Sequence, residues 1–141
     1  MKRVWFNWPP AATEVDVSRT APLCDQRILV VEDEYYLATD TADALQRAGA
    51  KVLGPFSSEQ SALDQIRSEA PTIALLDINL GSGPSFDVAR ILKQRGVPLV
   101  FITGYNQEII PAEFESAPRL QKPVEMRQIV DLLIQALGLR K

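Results

Sequence analysis

Apolar residues fall along this chain in short unbroken runs: ILVV at 28–31, VL at 52–53, IALL at 73–76 and LVFI at 99–102, with a weaker run around Leu120. Runs of this length rich in branched side chains predict strands. Because they do not alternate with polar residues, they predict a sheet covered on both faces. Between the runs the spacing turns helical. Leu37, Thr41, Leu45 and Ala48 share one face of a helix that stops near Gly49. Ala62, Leu63 and Ile66 mark a second helix, and Val88, Ile91 and Leu92 a third that ends at Gly96. Met126, Ile129, Val130, Leu133 and Leu137 form the clearest stripe, finishing at Gly138.

Strands recurring roughly every 20–25 residues with helices between them predict βαβ units. The expected architecture is a single doubly wound α/β domain over residues 27–141, with a five-stranded parallel sheet. Residues 1–26, with Pro9, Pro10 and Pro22 and no sustained period, read as a flexible N-terminal extension. Within it Trp5, Phe6 and Trp8 are the exception, since exposed aromatics suit docking on a partner or on the domain itself. The segment NQEIIPAEFESAP, with Pro111 and Pro118, predicts a short or irregular helix that rearranges when the protein is modified.

Composition narrows the function. The 141 residues, 46% apolar and 23% charged, suit one globular domain, and a net charge of -3 argues against a nucleic-acid surface. The chain has no histidine, which excludes histidine bases, histidine-ligated zinc and a phosphohistidine carried by the chain itself. Cys24 is the only cysteine, so there is no internal disulfide and a reducing compartment is the simpler reading. No apolar run reaches membrane-spanning length, and the N-terminus lacks the apolar core of a signal peptide, so a cytoplasmic location is expected.

The chemistry lies where the strands stop. The first run ends in Glu32 and Asp33, the third in Asp77, the fourth in Thr103, and the weak fifth in Lys122 and Pro123. In an open parallel sheet all carboxyl ends share one edge, and ligands bind there. Taken singly, the acids could cap a helix, Thr103 could stand in a turn and Lys122 on the surface. Together they bring acids, a hydroxyl and an ammonium to one small region. Two carboxylates 4 Å apart repel by roughly 4 kcal/mol at an effective dielectric of about 20. A hard divalent cation relieves that repulsion, and Mg²⁺ suits an oxygen-only site with retained water and a phosphate oxygen. Lys122 and Thr103 could then hold a phosphoryl group on a carboxylate.

In this order ILVVEDE, ALLDINL, VFITG and LQKP resemble the response-regulator receiver domain of two-component signalling. The spacing agrees: 44 residues from Asp33 to Asp77, 26 on to Thr103 and 19 on to Lys122. The resemblance covers about residues 27–138 and implies a flavodoxin-like fold. It implies that Asp77 is the phosphoacceptor, attacking a phosphohistidine on a histidine kinase or phosphotransfer protein. It further implies Mg²⁺ held by Glu32, Asp33, Asp77 and the backbone carbonyl of Asn79, phosphoryl oxygens bound by Thr103 and Lys122, and a cis bond between Lys122 and Pro123. Asn79, Gly104 and Tyr105 would modulate the chemistry, with Gly104 leaving room beside the phosphoryl group. FITGY resembles the FATGUY branch of receivers, and AEFESAPRLQKPVE resembles receivers partnered with HWE-type histidine kinases. Arg119 stands where most receivers place a switch aromatic, and Tyr105 is the nearest substitute.

The chain ends soon after its last helix, so a stand-alone receiver is expected: no enzyme beyond self-catalysed phosphotransfer and dephosphorylation, no DNA-binding module, no membrane partner. It would relay the phosphoryl group, drain it from a kinase, or bind a downstream protein through the face formed by the fourth helix, fifth strand and fifth helix; a homodimer stays open. An alternative is a Mg²⁺-dependent aspartyl-phosphate hydrolase of the haloacid-dehalogenase kind, although Asp77-Ile78-Asn79 lacks its second acid. A flavodoxin-like cofactor carrier fits less well, because EDEYY replaces a phosphate-binding loop, and the intact acids argue against a receiver that has lost phosphorylation.

Overall fold

The strand β3 (Arg27–Val31) is paired in parallel with β4 (Lys51–Phe56) on one side and β5 (Ile73–Asp77) on the other. β6 (Leu99–Thr103) continues from β5, and β7 (Arg119–Gln121) closes the sheet in the order β4-β3-β5-β6-β7, all parallel. The structure, a computed structural model, describes residues 3–6, 13–16, 21–80, 86–104 and 110–139. The chain leaves β3 for one edge and returns to the other flank with β5. The switch point therefore lies between the carboxyl ends of β3 and β5, where Glu32 and Asp77 stand.

The unbroken apolar strands are explained by helices on both faces. Leu29, Val31, Leu76 and Phe101 point to the layer of α2 (Glu59–Ser68) and α3 (Asp87–Gln94). Ile28, Val30, Leu75, Val100 and Ile102 point to α1 (Tyr35–Arg47) and α4 (Met126–Ala136). Successive strand residues thus enter opposite cores, and neither face tolerates a polar side chain. Ser58 starts α2 by accepting the Ser61 N–H on its hydroxyl at 3.3 Å. α1 stops before Gly49, whose φ of +98° suits glycine and where a Cβ would lie 2.7 Å from the Ala21 Cβ. Within α1 the buried positions are Ala38, Thr41 and Leu45, with Leu37 only half-buried, so the stripe lies slightly round from the expected one.

One expectation needs correction. Residues 1–26 are not uniformly without structure: β1 (Arg3–Phe6) and β2 (Thr13–Asp16) pair as an antiparallel ladder, with Arg3 opposite Asp16 and Phe6 opposite Thr13. Both segments carry strand-favouring Val, Thr and aromatic residues, which a search for longer periods passes over. Trp8 lies outside the described residues, as do the side chains of Trp5 and Phe6. The end of the supposed extension also belongs to the packed domain. Leu23 is fully buried beside Ile28 and Leu45, and its N–H donates to the Ala48 carbonyl at 2.8 Å.

The segment between β6 and β7 carries a short helix, as expected. Among the described residues between β6 and β7 there is one 3₁₀ turn, Ala112–Phe114, with Pro111 before it and Pro118 leading into β7; residues 105–109 lie outside the described set. Prolines at both ends leave no room for a regular helix within 111–118. Phe114 anchors the turn, its ring 5.9 Å from that of Phe86 and 5.6 Å from that of Phe101.

Leu23→Ala should lower unfolding free energy in urea by about 2–5 kcal/mol, the cost of emptying a buried leucine site. A loss of only a few tenths would mean that residues 21–26 are not part of the folded domain.

Candidate functional site

Sheet register brings the polar strand ends together. Asp77 pairs with Ile102, so Thr103 lies one residue further along the neighbouring strand. Thr103 in turn pairs with Gln121, and the Lys122 N–H donates to the Thr103 carbonyl at 2.8 Å. On the other flank the Glu32 N–H donates to the Phe56 carbonyl at 2.8 Å, which fixes the backbone just beyond β3. These main-chain bonds aim side chains from segments 45 and 90 residues apart at one spot.

Lys122 occupies the centre. Its Nζ lies 3.1 Å from Asp77 Oδ2, 3.2 Å from Glu34 Oε2 and 3.5 Å from Glu32 Oε2. The other Asp77 oxygen, Oδ1, accepts the Asn79 N–H at 2.8 Å, so both oxygens of this buried carboxylate are held. Glu32 is also buried; its Oε2 accepts the Glu34 N–H at 3.0 Å, whereas its buried Oε1 has no hydrogen-bond partner among the described residues. Glu32, the exposed Asp33 and Asp77 each offer an oxygen within 4.8 Å of the others. A buried carboxylate oxygen without a donor, set among two more carboxylates, matches what a hard divalent cation requires, and every donor present is oxygen.

The remaining candidates are placed unequally. The Thr103 hydroxyl is fully buried and donates to the Leu120 carbonyl at 3.4 Å. The Lys122–Pro123 bond is cis. A Cβ at Gly104 would meet Asn79 Nδ2 at 2.7 Å, so the glycine makes room first of all for the Asn79 amide. Tyr105 lies outside the described residues.

A family model described as the response regulator receiver domain matches residues 28–134. The chain belongs to that family. Receivers act in two-component systems, where phosphorylation and Mg²⁺ binding are typical. The phyllosphere-induced regulator PhyR of Methylorubrum extorquens is 31% identical over 140 residues, 88% of this chain and 52% of PhyR. The sensory transduction protein LytT of Bacillus cereus is 31% identical over 111 residues, 76% of this chain and 45% of LytT. This chain thus spans about half the length of these relatives. The solution structure of SdrG from Sphingomonas melonis Fr1 is similar at a TM-score of 0.70 and 33% identity, covering 81% of this chain and 97% of that one.

Two residues of this receiver take parts that its sequence did not reveal. Glu34, the third acid of the EDE run, reaches back to Lys122; nothing in the spacing separates it from an ordinary acid at a helix start. Arg119 carries no ring to turn inward. Its Nη2 donates to the carbonyls of Phe114 and Glu115, each at 3.1 Å, and of Ala117 at 3.3 Å, tying β7 to the turn that precedes it.

Burial sets the electrostatics. Glu32 is pushed up to about 8, first by burial and then by the Asp77 carboxyl beside it, with the Glu34 N–H and Lys122 pulling the other way. Burial also disfavours the charge on Lys122, but the Asp77, Glu32 and Glu34 carboxylates outweigh it and hold the ammonium above the usual lysine range. A carboxyl group raised on folding stabilises the folded state fully below its ordinary value and loses that contribution as pH rises through its folded one. In the presence of a chelator, stability should therefore decline from the ordinary value of 4.5 up to about 8. A cation held by Glu32 displaces a proton, so calorimetric Mg²⁺ affinity should strengthen as pH rises towards 8 and level off above it. Glu32→Gln should weaken binding and flatten this slope. A wild-type affinity independent of pH would contradict the assignment of Glu32.

Proposed function

We propose that this receiver accepts a phosphoryl group from a histidine kinase onto Asp77 and signals through the surface around β7 and α4. What carries the reading is the contact of Lys122 Nζ with Asp77 Oδ2 at 3.1 Å inside the three-carboxylate cluster. In the step itself an Asp77 carboxylate oxygen bonds to phosphorus while the bond from phosphorus to the kinase's imidazole nitrogen breaks. The phosphorylated imidazole enters with its other ring nitrogen protonated, so it leaves as a neutral ring. Lys122 moves its charge to the transferred phosphoryl oxygens, and the Thr103 hydroxyl leaves the Leu120 carbonyl to donate to the same group. Glu32, Asp33, Asp77 and the Asn79 carbonyl are the proposed Mg²⁺ ligands. When bound, the ion supplies positive charge that offsets the crowding of carboxylates and phosphoryl oxygens.

The transfer has a route to the surface. Thr103 bonds to β7 at Leu120, and the preceding residue, Arg119, holds the 3₁₀ turn by its carbonyls. A change at Thr103 is thereby felt where β7 and α4 meet solvent, and the docking face drawn from sequence is here a turn, a strand and a helix. The AEFESAPRLQKPVE segment supports an HWE-type kinase as donor, and the reaction belongs in the cytoplasm on this reading. The hydrolase alternative gains nothing from the comparisons, since the receiver model covers residues 28–134 and with them every proposed site residue.

Incubated with Mg²⁺ and acetyl phosphate, the wild-type protein should gain the mass of one phosphoryl group. Asp77→Asn should gain none, and Lys122→Ala should lose at least tenfold in rate. An adduct that persists in Asp77→Asn, or turnover of phosphate monoesters, would count against the proposal.

A further inference from the structure

Three carboxylates surround Lys122, and one of them differs in kind. Asp77 and Glu32 are buried and belong to the acid cluster, whereas the Glu34 side chain is 60% exposed. Glu34 holds the N-cap position of α1, yet its side chain makes no cap hydrogen bond there. The bond from its backbone N–H to Glu32 Oε2 needs no particular side chain. What the carboxylate does contact is Lys122, at 3.2 Å. Stability gives little reason for this, because so exposed a pair contributes about 0–1 kcal/mol.

Position gives a better one. Glu34, Leu37, Lys122, Pro123 and Val124 line an open cavity of about 430 Å³. Glu34 and Lys122 line it together and touch, so an anion drawn to the ammonium from this cavity also comes close to the Glu34 carboxylate. It must then displace that carboxylate to claim the Lys122 charge for itself.

We infer that Glu34 is a specificity-determining residue of the phosphotransfer site: it occupies Lys122 in the unmodified protein and disfavours small, highly charged phosphoryl donors. The inference rests on the receiver reading above. Its mechanism is electrostatic. Asp77 attacks phosphorus in either of two small donors: acetyl phosphate leaves as acetate when its P–O bond breaks, and phosphoramidate leaves as ammonia when its protonated nitrogen departs. Acetyl phosphate is a dianion near neutrality, and phosphoramidate carries one net negative charge. Repulsion by Glu34 acts roughly twice as strongly on the first as on the second. A kinase that presents its phosphoryl group from a docked surface has positioning contacts that a free donor lacks, so the same charge hinders it less.

Glu34→Gln keeps the shape of the side chain and removes the charge. It should raise the rate of phosphorylation by acetyl phosphate about three- to tenfold and that by phosphoramidate by less, with the difference shrinking as salt screens the exposed charge. Asp40→Asn, which removes an exposed acid elsewhere on α1, should leave both rates at wild-type values. Inorganic phosphate, followed through the Lys122 side-chain NMR signals without Mg²⁺, should bind more tightly to Glu34→Gln. Equal rates in wild type and Glu34→Gln, a slower variant, or an equal gain with both donors would overturn the role of Glu34 while leaving the receiver reading intact. If neither protein takes up a phosphoryl group from either donor, the receiver reading fails and this inference fails with it.

Discussion

One ammonium group set among three carboxylates is the constraint around which this structure is arranged. Lys122 Nζ lies within 3.5 Å of Asp77, Glu34 and Glu32, two of them buried. Buried acids at such close quarters are unfavourable on their own, and removing the cation would leave them unpaired. The arrangement holds because each participant is fixed through its backbone. Asp77 ends a strand whose five residues are all buried, Lys122 follows β7 with its N–H bonded to the Thr103 carbonyl, and Glu32 is tied to Phe56 directly after β3. The two apolar cores thus serve the site by making the strand ends immobile. They supply rigidity, and the polar edge supplies the reactivity.

The same rigidity explains where the site is incomplete. Glu32 Oε1 is buried with no donor among the described residues, a condition that proteins rarely leave uncorrected. Burial together with Asp77 holds the Glu32 proton in place up to about pH 8. A divalent cation would replace that proton and satisfy the orphaned oxygen at once. Proton binding, metal binding and the charge on Lys122 are therefore three views of one balance. Outside it stands Glu34, exposed and paired with the lysine, where it bears on which anion reaches the ammonium.

Much of this was legible in the sequence, and the reasons are specific. The strands ending in Glu32, Asp77 and Thr103 announced themselves because a strand buried on both faces must be continuously apolar, and a charge at its end stands out. Helix stops at Gly49, Gly96 and Gly138 were visible because each takes a positive φ. Other features had no such signal. Leu23 packs into the core from a turn, without any period to betray it. The β1 and β2 strands are only four residues each, too short for alternation to stand out. The long-range contact of Glu34 with Lys122 depends on how α1 leaves the sheet, and the carbonyl cradle of Arg119 depends on a 3₁₀ turn; neither is a property of spacing. Arg119 was conspicuous only as a missing aromatic, whereas its bonds show it joining β7 to the turn before it.

Chemical trapping tests the central claim most directly. Borohydride reduces an aspartyl phosphate to homoserine, and tandem mass spectrometry then locates the altered residue. After treatment with Mg²⁺ and acetyl phosphate, the account predicts homoserine at position 77 alone, and none when a chelator replaces the metal. Homoserine at another position, or labelling that does not depend on Mg²⁺, would contradict it.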